Sequence, residues 1–206
     1  MISYTIHAAQ KSENLAEVYV NSDDQQCLQI ATSMGAKPYL RDSRFAQDHS
    51  SMKDVVVDFV DYLSRSSVYF DALAVLYPTY PTRTFTDIDT YISFFLSNRP
   101  FRSIVGLKEP DTHPFLLYQI DENLSPTSIM DFEIDKYYRR QDYPVFFELS
   151  HWACVINRSD IALINSQLIS PTVSGYLIPE SDYVLDVDNF VDLQRAEQVL
   201  KHSVTF

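Results

Sequence analysis

Through the first 110 residues, short continuous apolar runs alternate with apolar positions spaced three and four apart. Ala16 to Asn21 (AEVYVN) reads as a buried strand. Cys27, Ile30, Ala31 and Met34 then fall at helical spacing, with Gly35 as the stop. KPYLR is a short strand, and Met52, Val55, Val56, Phe59 and Leu63 mark one face of a second helix. ALAVLY, residues 72–77, is apolar throughout, which predicts a strand covered on both faces. After the proline-broken PTYPTRT, FTDIDTYISFFLSN predicts a helix starting near Thr86 or Asp87, and RSIVGL another strand. This rhythm predicts an α/β fold with a mostly parallel sheet flanked by helices.

From about Pro114 the rhythm changes. PFLLYQID and the turn-like ENLSP suggest a strand leaving the parallel pattern, and MDFEIDKYYRRQDYP has no clear period. HWACVIN resumes as a strand and RSDIALINS as a short helix. The last helix begins near Asn189, with Phe190, Leu193, Ala196 and Leu200 inward. Without a repeat or linker, residues 1–206 are expected to form one domain with an insertion around 115–145.

Composition narrows the function. The net charge of −12 argues against sequence-independent nucleic-acid binding, which needs clustered Lys and Arg. No apolar run spans a bilayer, and no basic-then-apolar leader opens the chain, so a cytoplasmic protein is expected, with no membrane partner. Cys27 and Cys154, far apart, suggest neither a disulfide framework nor zinc. Gly35, Gly106 and Gly175 are the three glycines, too dispersed for a glycine-rich phosphate cradle.

Four stretches carry candidate chemistry. In LDVDN, Asp186 and Asp188 alternate with apolar residues, so an extended backbone points both the same way. Paired carboxylates resist ionising without a cation, and Mg²⁺ takes one or two carboxylates plus phosphate oxygens; the alternative is a strand end with Asp188 or Asn189 capping the last helix. LYPTYPTRT follows a buried strand, at the edge where open α/β sheets bind ligands. Its Arg83 is either an anion contact or an exposed helix-start residue. In YYRRQDYP, Arg139 and Arg140 suit a carboxylate or phosphate, or a surface or oligomer contact. Arg41, after KPYL, could face the same ligand edge. His49, His113 and His151 lack metal spacing, and Trp152 is expected in the core.

The order of ISYTIHAA, VYVNSDDQQCLQIATSMGAKPYLR, QDHSSMKDVVVDFVDYL, LYPTYPTRTFTDID, THPF, RRQDYP and LDVDNFVDLQRAE resembles the acylneuraminate cytidylyltransferase family over nearly the whole chain. Those enzymes use CTP and Mg²⁺ to join CMP to a nine-carbon sugar acid, releasing pyrophosphate. The resemblance implies a Rossmann-like nucleotidyltransferase sheet and a homodimer built by a small antiparallel arm at 115–145. It implies that Asp186 and Asp188 are the catalytic metal pair. It implies that Asn21, Ser22, Asp23, Arg41 and Ser51 contact the nucleotide, and that Tyr77, Thr79, Arg140 and Gln141 contact the sugar acid.

The chain departs from the family at several points. The family opens with a strand and the triphosphate-binding loop A-R-x-G-S-K-x-x-x-x-K-N, whereas Met1-Ile2 match the start of its first helix. The expectation is a sheet missing its central strand, or one in which another segment fills the gap. Tyr77 stands where the family has glutamine, as in the Y-x-T-x-P of the pseudaminate branch, and Ser150-His151-Trp152 replace N-G-A. The leading expectation is a nonulosonic acid cytidylyltransferase. The alternative is a relative without catalytic activity, acting as a binding or oligomerisation module.

Overall fold

The computed structural model describes residues 1–97, 103–179 and 185–203; Asn98, Arg102, Tyr183 and Val184, which belong to expected elements, lie outside the described residues. Helix α1 (Ile2–Lys11) opens the chain, followed by β1 (Tyr19–Ser22), α2 (Gln25–Ser33) and β2 (Lys37–Leu40). Next come α3 (Met52–Arg65), β3 (Ala72–Val75), α4 (Phe85–Ser97) and β4 (Ser103–Lys108). A hairpin of β5 (Tyr118–Ile120) and β6 (Pro126–Ser128) precedes β7 (Glu148–Asn157), β8 (Ser174–Leu177) and α5 (Phe190–Ser203).

Local chemistry sets the helix ends. Asp24 caps α2 by accepting the N–H groups of Gln26 and Cys27, and Gly35 follows the helix at φ +81, where other side chains are strained. Ser51 caps α3 through the Asp54 N–H and donates its hydroxyl to the Asp54 carboxylate. The α4 cap is Thr84, one turn before the expected Asp87: its hydroxyl accepts the Asp87 N–H, and the Asp87 carboxylate accepts the Thr84 N–H at 2.8 Å. The segment expected as a short helix after β7 is a 3-10 turn at Arg158–Leu163.

β1 and β2 form a parallel pair of their own, and the larger sheet has the order β3-β7-β4-β8. Within it β4 and β8 are parallel, while β7 is antiparallel to both neighbours, so three strands share a direction and β7 runs against them. The sheet is therefore mixed, the reversal falling at HWACVIN. Among the described residues β1 pairs only with β2, and β3 only with β7. The strands expected to border a central strand thus each keep an edge without a strand partner. That edge position accounts for ALAV being half-buried at every residue, where coverage on both faces was expected. β8 is a strand the pattern did not mark; a Cβ at its Gly175 would sit 2.3 Å from Leu107 Cδ1, so a larger residue there would have to displace the Leu107 side chain.

The two faces of this sheet are covered separately. Ile88, Tyr91, Ile92 and Phe95 of α4 pack with Ile104, Ala153 and Val155, while Val56 of α3 packs with Val105, Cys154 and Ile156. Each large apolar side chain so buried contributes roughly 1.5–3 kcal/mol. A third cluster, of Ile6, Val20, Leu28, Ala31 and Ala36, joins α1 and α2 to β1. In α5, Ala196 is inward as expected, but Phe190 at the first turn is 70% exposed.

Helix α1 touches both cores, through Ile6 on one side and Ala8 on the other. Asp89 of α4 secures its end: it accepts the Ser12 hydroxyl at 2.5 Å and the N–H groups of Glu13 and Asn14. Partial burial raises the Asp89 pKa, but these hydrogen bonds outweigh it and hold the carboxyl below its ordinary value. The resulting stability is full above the unfolded value of 3.8 and is lost as pH falls through the lower folded value. Asp89→Asn is expected to cost about 1 kcal/mol at neutral pH. In urea titrations the variant and the parent should converge as the pH drops below 3.8.

Candidate functional site

The loop after β3 is a tandem of two turns. In Tyr77-Pro78-Thr79-Tyr80 the Tyr80 N–H donates to the Tyr77 carbonyl, and in Tyr80-Pro81-Thr82-Arg83 the Arg83 N–H donates to the Tyr80 carbonyl, each at 3.4 Å. Each proline is the second residue of its turn, where its fixed φ suits a type I or II geometry. The doubled Y-P-T therefore writes the loop's path locally. It places both tyrosines toward the protein, with Tyr80 only 4% exposed.

Arg83 locks this loop in place. It is neither an exposed helix-start residue nor an open anion contact, because its side chain is 3% exposed. Its guanidinium donates to the carbonyls of Trp152 and Tyr77, the latter at 3.1 Å, and stacks near the Trp152 ring. Burial pulls its pKa down to about 10, against the attraction of Tyr80 and Asp87. Trp152 is in the core as expected, but on an unexpected face. The pairing of β7 with β4 jumps from Val105↔Cys154 to Gly106↔Ser150, so His151, Trp152 and Ala153 are looped out. This bulge turns Trp152 to the α4 side, with Ala153 and Val155, where strict alternation would send it to the side of Cys154. A Cβ at Gly106 would lie 3.1 Å from the Ser150 carbonyl oxygen, so the bulge needs glycine opposite it.

The bulge and the loop converge on the acidic segment. The Val187 N–H donates to the Thr79 carbonyl at 2.9 Å, and Val187 is buried between the two aspartates. Asp186 is half-buried, and its Oδ1 is enclosed with no hydrogen-bond partner. Asp188 is exposed, and the fields of both carboxylates reach the Tyr80 hydroxyl. Neither aspartate caps the last helix through its side chain. That work falls to Asn189, whose Oδ1 accepts the Val191 and Asp192 N–H groups, with Asp192 reciprocating. Lys108, paired with Glu148 at 2.7 Å, is a cation whose charge also senses Asp186. Beside this cluster the Tyr77 ring lies 5.2 Å from the His151 ring, and burial pushes the Tyr77 hydroxyl up to about 12.

Among the described residues no group of three or more His, Cys, Asp or Glu could hold a metal. The chain offers Asp186 and Asp188, whose enclosed oxygen lacks a donor. That donor set fits Mg²⁺, which completes its shell with water and substrate phosphate, and does not fit a closed zinc site.

The other expected residues fall in two places. Arg41 donates from Nε to Asn21 Oδ1 and from Nη2 to the Asn21 carbonyl, both at 2.8 Å, joining the ends of β1 and β2. Ser22 accepts the Asp24 N–H, Asp23 is exposed, and the Ser51 hydroxyl is engaged in the α3 cap. Arg140 and Gln141 lie in a 3-10 turn on the insertion, both exposed; it is Arg139 that pairs with Asp142, at 2.6 Å. Sequence reasoning missed Tyr80, Ser150 and the Lys108–Glu148 pair. The signal for Tyr80 was the repeated Y-P-T; for the others a bulge had to be known first.

A family model described as Cytidylyltransferase matches residues 1–75. The pseudaminic acid cytidylyltransferase of Campylobacter jejuni is 26% identical over 204 residues, covering 98% of this chain and 85% of that protein. The N-acylneuraminate cytidylyltransferase of Escherichia coli is 27% identical over 139 residues, 68% of this chain and 32% of the relative. The CMP-N,N'-diacetyllegionaminic acid synthase of Legionella pneumophila is 34% identical over 84 residues, 40% of this chain and 36% of the relative. In fold, the chain is similar to a CMP:2-keto-3-deoxy-manno-octonic acid synthetase complexed with CTP, at TM-score 0.64 and 14% identity, covering 97% of this chain and 88% of that one. The 4-diphosphocytidyl-2C-methyl-D-erythritol synthase of Anaerococcus prevotii has the same TM-score and coverage at 8% identity. These matches lead to one conclusion: over nearly its whole length the chain is similar to CMP-nonulosonate cytidylyltransferases, and its first 75 residues match the Cytidylyltransferase family model.

Proposed function

We propose that this protein transfers CMP from CTP to a nonulosonic acid, a nine-carbon sugar acid, and releases pyrophosphate. The observation that carries the reading is the position of Asp186 and Asp188 at the loop after β3, with an enclosed carboxylate oxygen that lacks a hydrogen-bond donor. The anomeric hydroxyl of the sugar attacks the α-phosphorus in line. The new C–O–P bond forms as the bond to the pyrophosphate oxygen breaks, and the hydroxyl proton leaves to solvent. When bound between the two aspartates, Mg²⁺ supplies charge neutralisation at the phosphate oxygens.

The chain's own residues orient the reactants. Asp186 and Asp188 set where the phosphates lie. Arg41, braced by Asn21, holds the nucleotide at the ends of β1 and β2, with Ser22, Asp23 and Ser51 beside it. Tyr77 and Thr79 line the sugar side, and Arg140 with Gln141 meets the sugar carboxylate from the insertion. Use of CTP supports a cytoplasmic location; among the described residues no helix is long and apolar enough to cross a membrane.

The insertion is proposed as a dimerisation arm. Its β5–β6 hairpin is antiparallel and carries Ile120 at 65% and Leu124 at 74% exposure, with Ile134 and Val145 also outward. An aromatic cluster of His113, Phe115, Phe132 and Tyr143 gives it a base, Phe115 and Phe132 stacking at 3.9 Å. An apolar exterior on an ordered base supports pairing with a second copy.

Two measurements test these readings. With CTP, Mg²⁺ and sialic, legionaminic or pseudaminic acid, pyrophosphate release is expected from the parent protein. Asp186→Asn and Asp188→Asn should each lower turnover by roughly 100-fold or more. CTP binding with no turnover on any sugar acid would instead support the binding-module reading. In sedimentation at micromolar concentration the protein should run at twice the mass of one chain. Ile120→Asp with Leu124→Asp should shift it to a single chain while leaving its circular dichroism unchanged.

A further inference from the structure

The insertion leaves the main sheet on two legs, and one imidazole ties them together. The legs part after the last ladder pair, Lys108↔Glu148, whose side chains also form an ion pair. Beyond it, His113 on the outgoing leg meets Pro144 on the returning one, with Nε2 2.9 Å from the Pro144 carbonyl oxygen. Its Nδ1 accepts the Phe115 N–H at 3.2 Å, which caps the 3-10 turn Pro114–Leu116. A carbonyl oxygen only accepts and a backbone N–H only donates, so the two bonds together assign the ring proton to Nε2 and leave Nδ1 bare. The half-buried ring packs against Phe115, Tyr143 and Phe146, at centroid distances of 4.9, 4.5 and 5.1 Å. His113 thus engages both legs, through its nitrogens and through its ring.

We propose that His113 is a positioning residue for the sugar acid: its bond to Pro144 closes the neck of the insertion and fixes where the Arg140–Gln141 turn stands. The proposal rests on the reading of Arg140 and Gln141 as the residues that meet the sugar carboxylate. The path from ring to turn is short. Tyr143 packs on the imidazole, precedes Pro144 in the chain, and donates its N–H to the Arg140 carbonyl at 3.2 Å. The Asp142 N–H donates to the Arg139 carbonyl at 2.9 Å, and the Asp142 carboxylate takes the Arg139 guanidinium at 2.6 Å. Arg139 is engaged inside the turn, while Arg140 is exposed and makes no ion pair among the described residues. The turn is three residues long, so its own bonds shape it without placing it on the protein. Its placement comes from Pro144, whose ring fixes φ and whose carbonyl His113 holds. An arginine fork reads a carboxylate through two parallel hydrogen bonds, so a displaced base weakens the contact. His113 itself touches neither CTP nor the sugar acid.

Two substitutions separate the two bonds. His113→Asn keeps an oxygen for the Phe115 N–H, as in an Asx turn, but is too short to reach Pro144. His113→Gln carries an amide N–H out to where Nε2 stood and restores the tie to Pro144. Both lose the ring, so the packing change is common to the two. With a sugar acid that the parent turns over, His113→Asn is expected to raise KM for that acid by roughly tenfold, with KM for CTP unchanged. His113→Gln should bring KM for the sugar acid back to the parent value. Amide hydrogen exchange over residues 139–147, followed by mass spectrometry without substrate, should speed up in His113→Asn and not in His113→Gln. A parent-like sugar KM in His113→Asn would overturn the proposal. An equal rise in both variants would also overturn it, because lost ring packing would then be the cause. So would a parallel rise in KM for CTP, which marks damage to the whole site. Unchanged exchange in His113→Asn would remove the latch whatever the kinetics. Sugar KM unmoved by Arg140→Ala, beside His113 variants that behave as expected, would defeat the reading of Arg140 and not the latch. Exchange that responds as expected in a protein releasing no pyrophosphate with any sugar acid would defeat the transferase reading, and the hold of His113 on the insertion would stand.

Discussion

A buried guanidinium that has no carboxylate partner among the described residues holds the site together. Arg83 sits in the core and donates from Nη1 and Nη2 to two backbone carbonyls, one in the bulge of β7 and one in the loop after β3. Burying a charge in this way is costly, which its depressed pKa records. The return is geometric: a planar donor reaches two strands at once, which a lysine point charge would not do. Once the loop is fixed, its Thr79 carbonyl can receive the Val187 N–H.

The reversed strand β7 is the second determinant. Its antiparallel course between β3 and β4 gives the sheet a continuous ladder on both sides. The three-residue bulge interrupts that ladder where the chemistry is proposed. Bulging sends Trp152 into the α4 core and turns His151 to Tyr77. A regular strand would have put these side chains on alternating faces, and the Arg83 contact to the Trp152 carbonyl would be lost.

Charge distribution follows from the same arrangement. The protein carries a formal charge of −12, and its charged candidate site residues on the sheets fall at two places. Carboxylates gather at the β3 side, and Arg41 stands braced at the β1–β2 side. In the proposed reaction an anionic nucleotide would use both, Arg41 at one end and the acidic pair at the other. The separation of the β1–β2 pair from the main sheet means that α1, pinned by Asp89, couples the two parts.

The order and type of most of the elements were legible in the chain because each depends on local periodicity, β8 and the 3-10 turn at Arg158–Leu163 being the exceptions. Val55, Val56, Phe59 and Leu63 at helical spacing, Gly35 after α2, and the alternation before Asn189 all depend on near neighbours. So did the acidic pair, which is written within one short stretch of the chain. Pairing partners are set by residues distant in sequence, so the direction of β7 within the sheet, the edge position of β3 and the burial of Arg83 were decided only by the tertiary structure. The same holds for Arg83 and Trp152, which are 69 positions apart and meet because a bulge and a proline turn converge. Sequence alone determined which groups were available; long-range packing determined which of them face one another.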